Sequence, residues 1–295
     1  MYELVQAGER SYYINSPAKI GVFLAGEDRV VLIDSGNDKD AGKKVFKILD
    51  GKGWRLQAIV NTHSNADHIG GNQYLQRLTG CKVFAPGIEA AFTRYPMLEP
   101  SFLYGAFPPG DIRHKFLMAP ESDVRDVTDP EFPKELTILQ LPGHFFHMIG
   151  IKTPDGTAFL ADSFNSSENL SKYKIAFIYD VEKYLATLQM LETLEASLYV
   201  PSHTAALRDI KPLLEENRNT VLEIARAILA LCKEPDFFEN ILHRLFINYQ
   251  LAMNFEQYVL VGSTVRSYLA WLRDKGKLDV IFEGGFLLWK TIGEI

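Results

Sequence analysis

Residues 62–71 read Thr62-His63-Ser64-Asn65-Ala66-Asp67-His68-Ile69-Gly70-Gly71. Two imidazoles and a carboxylate within six residues can converge on one point, and neutral imidazole with carboxylate is the ligand set that suits zinc or iron. A lone histidine is more often a satisfied polar residue, and Asp67 can equally cap the helix that follows. Three later segments repeat the setting, each placing an acid or an imidazole just past a short apolar strand. They are Leu141-Pro142-Gly143-His144, Phe159-Leu160-Ala161-Asp162 and Val200-Pro201-Ser202-His203. One such segment is weak evidence for a metal ligand; four in sequence are improbable by accident. A metal with an open coordination position lowers the pKa of a bound water to about 7 and polarises a carbonyl or phosphoryl oxygen. Other routes lack their motifs. The sequence holds no Gly-x-Ser-x-Gly elbow for a serine nucleophile and no Gly-x-x-x-x-Gly-Lys-Ser loop for nucleotide phosphates.

These segments need strands to place them. Residues 19–25 alternate toward an apolar face, 26–28 make a turn and 30–33 follow as a buried strand, which predicts a hairpin. Further strands are predicted at 58–60, 83–85, 136–141, 149–152, 158–160 and 198–200, and helices at 40–50, 69–78 and 181–194. Mixed hairpins and strand–helix units predict sheets covered by helices, an α/β or α+β sandwich. Residues 91–129, with Tyr95, Phe102, Tyr104 and Phe107 among several prolines, break this rhythm. They are too long for a connection and too aromatic for a disordered linker, and read as a lid or pocket wall in preference to a surface excursion.

From residue 211 the composition turns helical. Helices are predicted at 212–232, 236–249, 255–261 and 263–275, then a hairpin at 278–282 and 286–289 around Gly284-Gly285. Helices followed by a two-stranded hairpin are winged-helix-like. A DNA-binding use needs a basic recognition helix, and 263–277 offer only Arg266, Arg273, Lys275 and Lys277 against Asp274. The tail is therefore expected to pack on the catalytic part, shape its pocket or pair subunits. The division that results is 1–210, with a lid-like insertion at 91–129, and a helical, winged-helix-like module at 211–295.

Composition bounds the function. The 295 residues are 47% hydrophobic and 23% charged, ordinary globular usage. A net charge of −6 disfavours a nucleic-acid partner. No apolar run approaches the roughly 18 residues that span a bilayer. Met1-Tyr2-Glu3-Leu4 shows no secretory leader, and two cysteines, Cys81 and Cys232, build no disulfide framework. The expectation is a cytoplasmic enzyme acting on a small molecule, without a nucleic-acid or membrane partner, with a homodimer left open.

The motif series resembles that of the metallo-β-lactamase-fold hydrolase superfamily along most of residues 20–205. Leu32-Ile33-Asp34-Ser35-Gly36 looks like the family's Leu-Ile-Asp-Thr-Gly, and Thr62 to Gly71 is similar to its Thr-His-x-His-x-Asp-His-x-Gly-Gly at every position but one. Pro142-Gly143-His144, Asp162 and Pro201-Ser202-His203 follow in the family's order. The resemblance implies an α+β fold, a four-layer αβ/βα sandwich with a metal site at one edge and a mainly helical C-terminal module beyond it. It implies a first metal site of His63, residue 65 and His144, and a second of Asp67, His68 and His203, with Asp162 bridging. Asp67 or Asp162 would then act catalytically, orienting the water and taking its proton. The chain departs from the family at Asn65, where an imidazole is expected. An amide oxygen is a poor zinc ligand beside imidazole, so Asn65 is a weakened or lost ligand and the second site should fill first. Zinc is the expected cofactor, one or two per chain, with iron or manganese as alternatives. His147 resembles a family histidine expected to hydrogen-bond a ligand from outside the coordination sphere. Tyr95, Tyr104 and His114 are candidates for the substrate pocket. The implied activity is hydrolysis of a small carbonyl substrate, a thioester, lactone or related ester. The alternatives are a nuclease or phosphodiesterase of the same fold, or a metal-bound non-catalytic scaffold.

Overall fold

Residues 20–24 alternate in a way that a pleated strand resolves into two apolar faces, Ile20 and Val22 on one side and Gly21 and Phe23 on the other. Its neighbours repeat the pattern, so a sheet built from them must be covered on both sides. The computed structural model describes residues 2–294; Met1 and Ile295, the outermost residues of the two expected domains, lie outside it. One sheet runs in chain order through β1 (Glu3–Gln6), β2 (Ser11–Asn15), β3 (Ile20–Leu24), β4 (Arg29–Ile33), β5 (Arg55–Val60), β6 (Lys82–Ala85) and β7 (Arg125–Asp126). It is antiparallel up to β4 and parallel from β4 to β7. The second sheet contains β8 (Thr137–Gln140), β9 (Ile149–Lys152), β10 (Thr157–Ala161) and β11 (Leu198–Pro201), in the order β11-β10-β9-β8. The last two strands, β12 (Leu278–Glu283) and β13 (Phe286–Thr291), pair with each other.

Helices α1 (Lys39–Gly51), α2 (Ala66–Ile69), α3 (Asn72–Thr79), α4 (Ile88–Arg94) and α5 (Leu98–Tyr104) accompany the first sheet. Helices α6 (Ser167–Tyr173), α7 (Val181–Leu191), α8 (Lys211–Leu231), α9 (Phe238–Asn248) and α10 (Phe255–Asp274) follow the second. Three apolar clusters define the layers. Val45 and Leu49 of α1 and Leu75 of α3 cover Ile20, Val22, Leu32 and Ile59. Between the sheets lie Phe23, Val31, Ile33 and Val60 against Ile149, Ile151, Phe159 and Val200. On the far side, Leu160 and Ala158 meet Tyr184 and Leu188 of α7, Ile224 and Ile228 of α8, and Val265 and Leu269 of α10. The chain thus forms the expected four-layer αβ/βα sandwich, and its C-terminal helices are part of the outer layer. No helix among the described residues is long and apolar enough to cross a membrane.

Strand direction explains where chemistry collects. Strands β4 and β5 are parallel, so both end at one edge. Strands β10 and β11 are parallel, and β8 points with them because both β8 and β10 are antiparallel to β9. The backbone amide of Ile149 donates to the carbonyl of Thr62 at 2.9 Å, which ties the two edges together. The residues that follow β4, β5, β8, β10 and β11 therefore emerge side by side.

Three local expectations need correction, and the first two strands went unread. The helix predicted at 69–78 is two, α2 and α3, broken at Gly70-Gly71. A Cβ on Gly70 would stand 2.2 Å from the Asn37 carbonyl carbon, and one on Gly71 2.3 Å from the Ser35 carbonyl oxygen. The break seats the motif loop directly on the loop that leaves β4. Conversely, the segments predicted at 255–261 and 263–275 are one helix, α10. A continuous buried stripe, Val261, Val265, Tyr268 and Leu272, carries it through Gly262. Residue 236 lies outside α9, bridged to Trp289, so the helix begins at Phe238. Strands β1, at the sheet edge, and β2 beside it escaped the sequence pattern because both are largely half-buried with little apolar contrast.

Candidate metal centre

The loop after β5 carries His63, Asn65, Asp67 and His68 around the short helix α2, and each imidazole is oriented by a hydrogen bond from Nδ1. Thr62 Oγ1 donates to Asp34 Oδ2 at 2.8 Å, which leaves it to accept from His63 Nδ1 at 3.0 Å. His68 Nδ1 donates to the same Asp34 Oδ2 at 2.8 Å. His144 Nδ1 donates to the carbonyl of Phe177 at 3.1 Å, and His203 Nδ1 to that of Pro17 at 3.0 Å. Gly143, at φ +126°, lets the chain turn toward His144 where a Cβ would meet the Tyr184 backbone at 2.3 Å. With every Nδ1 proton committed, each of the four rings, when neutral, presents its lone pair at Nε2.

Those lone pairs meet two carboxylates. His63, His144 and Asp162 hold ligand atoms within 4.8 Å of one another, as do Asp67, His68 and His203. Asp162 joins the two groups, with Oδ2 3.1 Å from His203 Nε2 and 3.7 Å from His144 Nε2, and Oδ1 3.3 Å from His68 Nε2. Asp67 Oδ2 lies 3.2 Å from His203 Nε2 and 3.7 Å from His68 Nε2. His63 Nε2, His68 Nε2 and Asp162 Oδ1 are buried without a hydrogen-bond partner. Buried acceptors that face one another cost free energy unless a cation sits among them, so this donor set fits bound metal.

The electrostatics agree. Burial beside other imidazoles holds His63 well below the usual value, and burial lowers His144. Asp162 draws His203 up to about 10. For His68, burial opposes protonation, but Asp162, Asp67 and Asp34 outweigh it and raise the pKa well above its usual value. Burial alone would raise Asp67 and Asp162; His68 and His203 hold both below the ordinary carboxylate range. Two ionised acids in this space call for positive charge, whether protons or metal ions supply it.

Three acidic residues here escaped the sequence reading as functional groups. Asp34 holds the Thr62 amide at 2.8 Å as well as Thr62 Oγ1 and His68, from a left-handed backbone at φ +66°. Its position just past an apolar strand was the available signal. Glu89 of α4 is fully buried; it accepts from the Ser64 amide and hydroxyl at 3.1 and 2.6 Å and from the His147 amide at 2.7 Å. Glu99 of α5 accepts from Asn65 Nδ2 at 2.7 Å. Nothing local in the sequence marks Glu89 or Glu99, which lie in or beside the segment read as a lid.

Burial pushes Glu89 up to about 7 against an ordinary 4.5. A raised acid favours folding fully below the unfolded value and loses that contribution as pH climbs through the folded value. Between pH 4.5 and 7 the native state holds the extra proton, so stability falls by up to about 3 kcal/mol across that window. Denaturant melts of wild type and Glu89→Gln at pH 5.5 and 8 read this out, because their difference cancels the other titrations. The wild type should lose ground to the variant at pH 8; a pH-independent difference would refute the assignment.

The remaining expectations divide. His147 is exposed and does not hydrogen-bond a histidine of the cluster; its Nδ1 faces the Ile88 amide at 3.4 Å while its own amide holds Glu89. The orienting bonds come from Thr62, Asp34, Phe177 and Pro17. Tyr95 is 62% exposed beside Gln73 and Arg77, Tyr104 lies near Phe255, and His114 faces Glu256 at 3.9 Å. None of the three lines the pocket of about 430 Å³ that opens at His203. Phe177, Asn165, Asn169 and Tyr173 wall that pocket on one side, and Gln257 and Leu260 of α10 on the other. The excursion's Phe102 instead packs against Phe145, Phe146 and Tyr179, behind His63 and His144.

A family profile described as the metallo-beta-lactamase superfamily matches residues 21–203. Among curated relatives, the hydroxyacylglutathione hydrolase of Methylococcus capsulatus is 44% identical over 55 residues, 16% of this chain and 22% of that protein. The one from Cereibacter sphaeroides is 30% identical over 120 residues, 40% of this chain and 38% of that protein. The matched stretch thus spans well under half of either relative. Among solved structures, a beta-lactamase domain protein from Burkholderia ambifaria superposes with a TM-score of 0.73 at 14% identity, covering 98% of this chain and 94% of the other. A metallo-beta-lactamase family protein from Thermus thermophilus gives 0.68 at 18% identity, covering 99% and 98%.

Proposed function

The chain belongs to the metallo-β-lactamase superfamily, and from that premise we propose that it is a metal-dependent hydrolase of a small carbonyl substrate, a thioester in the first instance. The observation that carries the reading is the convergence of four Nε2 atoms on Asp67 and Asp162 at adjoining strand ends. His63, His144 and Asp162 would hold one metal ion, and Asp67, His68, His203 and Asp162 a second, zinc being the ion proposed for the complete set. A divalent ion bound there supplies Lewis acidity and an acidified water with a pKa near about 7. Asp67 is kept ionised and 35% of its side chain faces solvent, so Oδ2 can orient an attacking water and accept its proton. Asp34 and the Phe177 and Pro17 carbonyls keep the imidazoles in the tautomer that donates from Nε2 to metal.

The pocket wall supports the substrate class. Asn165, Asn169 and Gln257 present amide groups beside the aromatic faces of Phe177 and Tyr173, a surface suited to an amide-bearing acyl thiol carrier. Its lining holds no lysine or arginine to receive a phosphodiester backbone. The relatives named for hydroxyacylglutathione act on a thioester, which favours that member of the carbonyl class. Free, buried Cys81 and Cys232 suit a reducing compartment, and the cytoplasm is the proposed location. A panel of thioester, lactone and bis(p-nitrophenyl) phosphate, run with added zinc, manganese and iron, tests the reading. Thioester turnover abolished by chelator and restored by metal is expected; hydrolysis of the phosphodiester alone would overturn it.

A further inference from the structure

Glu99 is 4% exposed, and a carboxylate at that depth costs several kcal/mol unless something holds it. Its hydrogen-bond partner is the Asn65 carboxamide. Burial raises the Glu99 carboxyl well above its usual range, and a neutral acid still accepts this bond through its carbonyl oxygen. The amide nitrogen faces Glu99 Oε1 at 2.7 Å and Asn65 Oδ1 turns the other way. There it stands 3.2 Å from His144 Nε2. The Phe177 carbonyl already takes the Nδ1 proton of His144, so this nitrogen also carries a lone pair. Two acceptors 3.2 Å apart have no hydrogen between them, and a cation in contact with both is what relieves that arrangement.

We propose that Glu99 is a positioning residue that aims Asn65 Oδ1 into the first metal site, so that an amide oxygen fills the place of the missing imidazole and selects a harder ion than zinc. The inference rests on the metal-centre reading above. With His63 Nε2, His144 Nε2 and Asp162, the site offers two imidazoles and two oxygens, a set suited to manganese(II) or iron(II). The second site, with two imidazoles, Asp67 and the shared Asp162, keeps the zinc. The segment that carries Glu99 thus reaches the centre through Asn65, from behind the pocket.

Full-length protein stripped of metal and dialysed against equal zinc(II) and manganese(II) should retain one of each, counted by plasma mass spectrometry, with the manganese visible by electron paramagnetic resonance. Glu99→Leu should weaken manganese binding about tenfold or more while the zinc stays, as loss of an outer-sphere partner does. Glu99→Gln keeps an acceptor and should lose less than about threefold. Asn65→His should hold two zinc ions and make a further Glu99→Leu change silent. Should Glu99→Leu fail to fold, Asn65→Ala decides the matter, since manganese bound to it as tightly as to wild type overturns the proposal. So does wild type that holds two zinc ions and no manganese, or Glu99→Leu within twofold of wild type. A chain that binds no metal at any ratio sinks the metal-centre reading as well, whereas zinc binding with manganese indifferent to Asn65 and Glu99 sinks this inference alone.

Discussion

Asp67→Asn is expected to lower kcat/KM on the thioester by about three orders of magnitude in a protein that still folds. The substitution keeps size and shape but removes the charge at Oδ2, which stands between His68 and His203. Two losses combine. The group placed to take the proton of the attacking water is gone, worth about 10²- to 10⁴-fold by itself. An anionic ligand of the second site also becomes a neutral one, which should weaken its metal affinity about 10- to 100-fold. Folding should survive because Asp67 is partly open to solvent and its helix, α2, is only one turn long. Steady-state kinetics at saturating zinc, with circular dichroism on the same sample, separates catalysis from stability. Turnover within about tenfold of wild type with metal in place would remove Asp67 from the mechanism.

The second large effect is expected at Asp34→Asn, which touches no metal and no substrate. The Asp34 carboxylate accepts from the Thr62 amide at one oxygen, and from Thr62 Oγ1 and His68 Nδ1 at the other. A carboxamide can satisfy one side only; the other presents an N–H to a buried donor. Each buried donor left unpaired costs about 1–3 kcal/mol, so a loss of about 3 kcal/mol in unfolding free energy is expected. Freed from its partner, the His68 ring also loses its fixed tautomer, and second-site zinc should weaken about 10- to 100-fold. Asp34→Gly sharpens the comparison. It relieves the left-handed backbone strain at φ +66°, worth about 1–3 kcal/mol, yet removes all three hydrogen bonds to a charged group at about 1.5–3 kcal/mol each. The bonds win, and glycine should be the less stable variant. An Asp34→Asn protein with wild-type stability and zinc affinity would show that Thr62 and His68 are held by their surroundings alone.

Several parts of the site were legible because their signals are local. His63, Asp67 and His68 lie close together in the chain, and His144, Asp162 and His203 each sit just past an apolar strand. Because parallel strands end at one edge, strand-end positions predict convergence before any coordinates are known. Glu89 and Glu99 were not legible. Each lies some tens of residues from the loop it holds, on short helices whose other buried residues, Phe92 and Leu103, look like ordinary packing. The pocket candidates Tyr95 and Tyr104 stand away from the pocket at His203 for a related reason. Aromatic content marks a segment that must pack, and it was Phe102, facing inward between them in sequence, that found Phe145 and Phe146.

By itself, the amino-acid sequence determined the order of the strands that carry the site, the residue types at each strand end and the absence of an imidazole at residue 65. Those properties follow from covalent order and from periodicity, which act over a few residues. The tertiary structure alone decided which acceptor each imidazole faces, that α10 walls the pocket at His203, and that a buried glutamate meets the asparagine standing where a histidine was expected. These are contacts between residues far apart in the chain. They exist because packing two sheets between helices brings distant loops to one edge, where buried polar groups must find partners or remain unpaired at a cost of several kcal/mol.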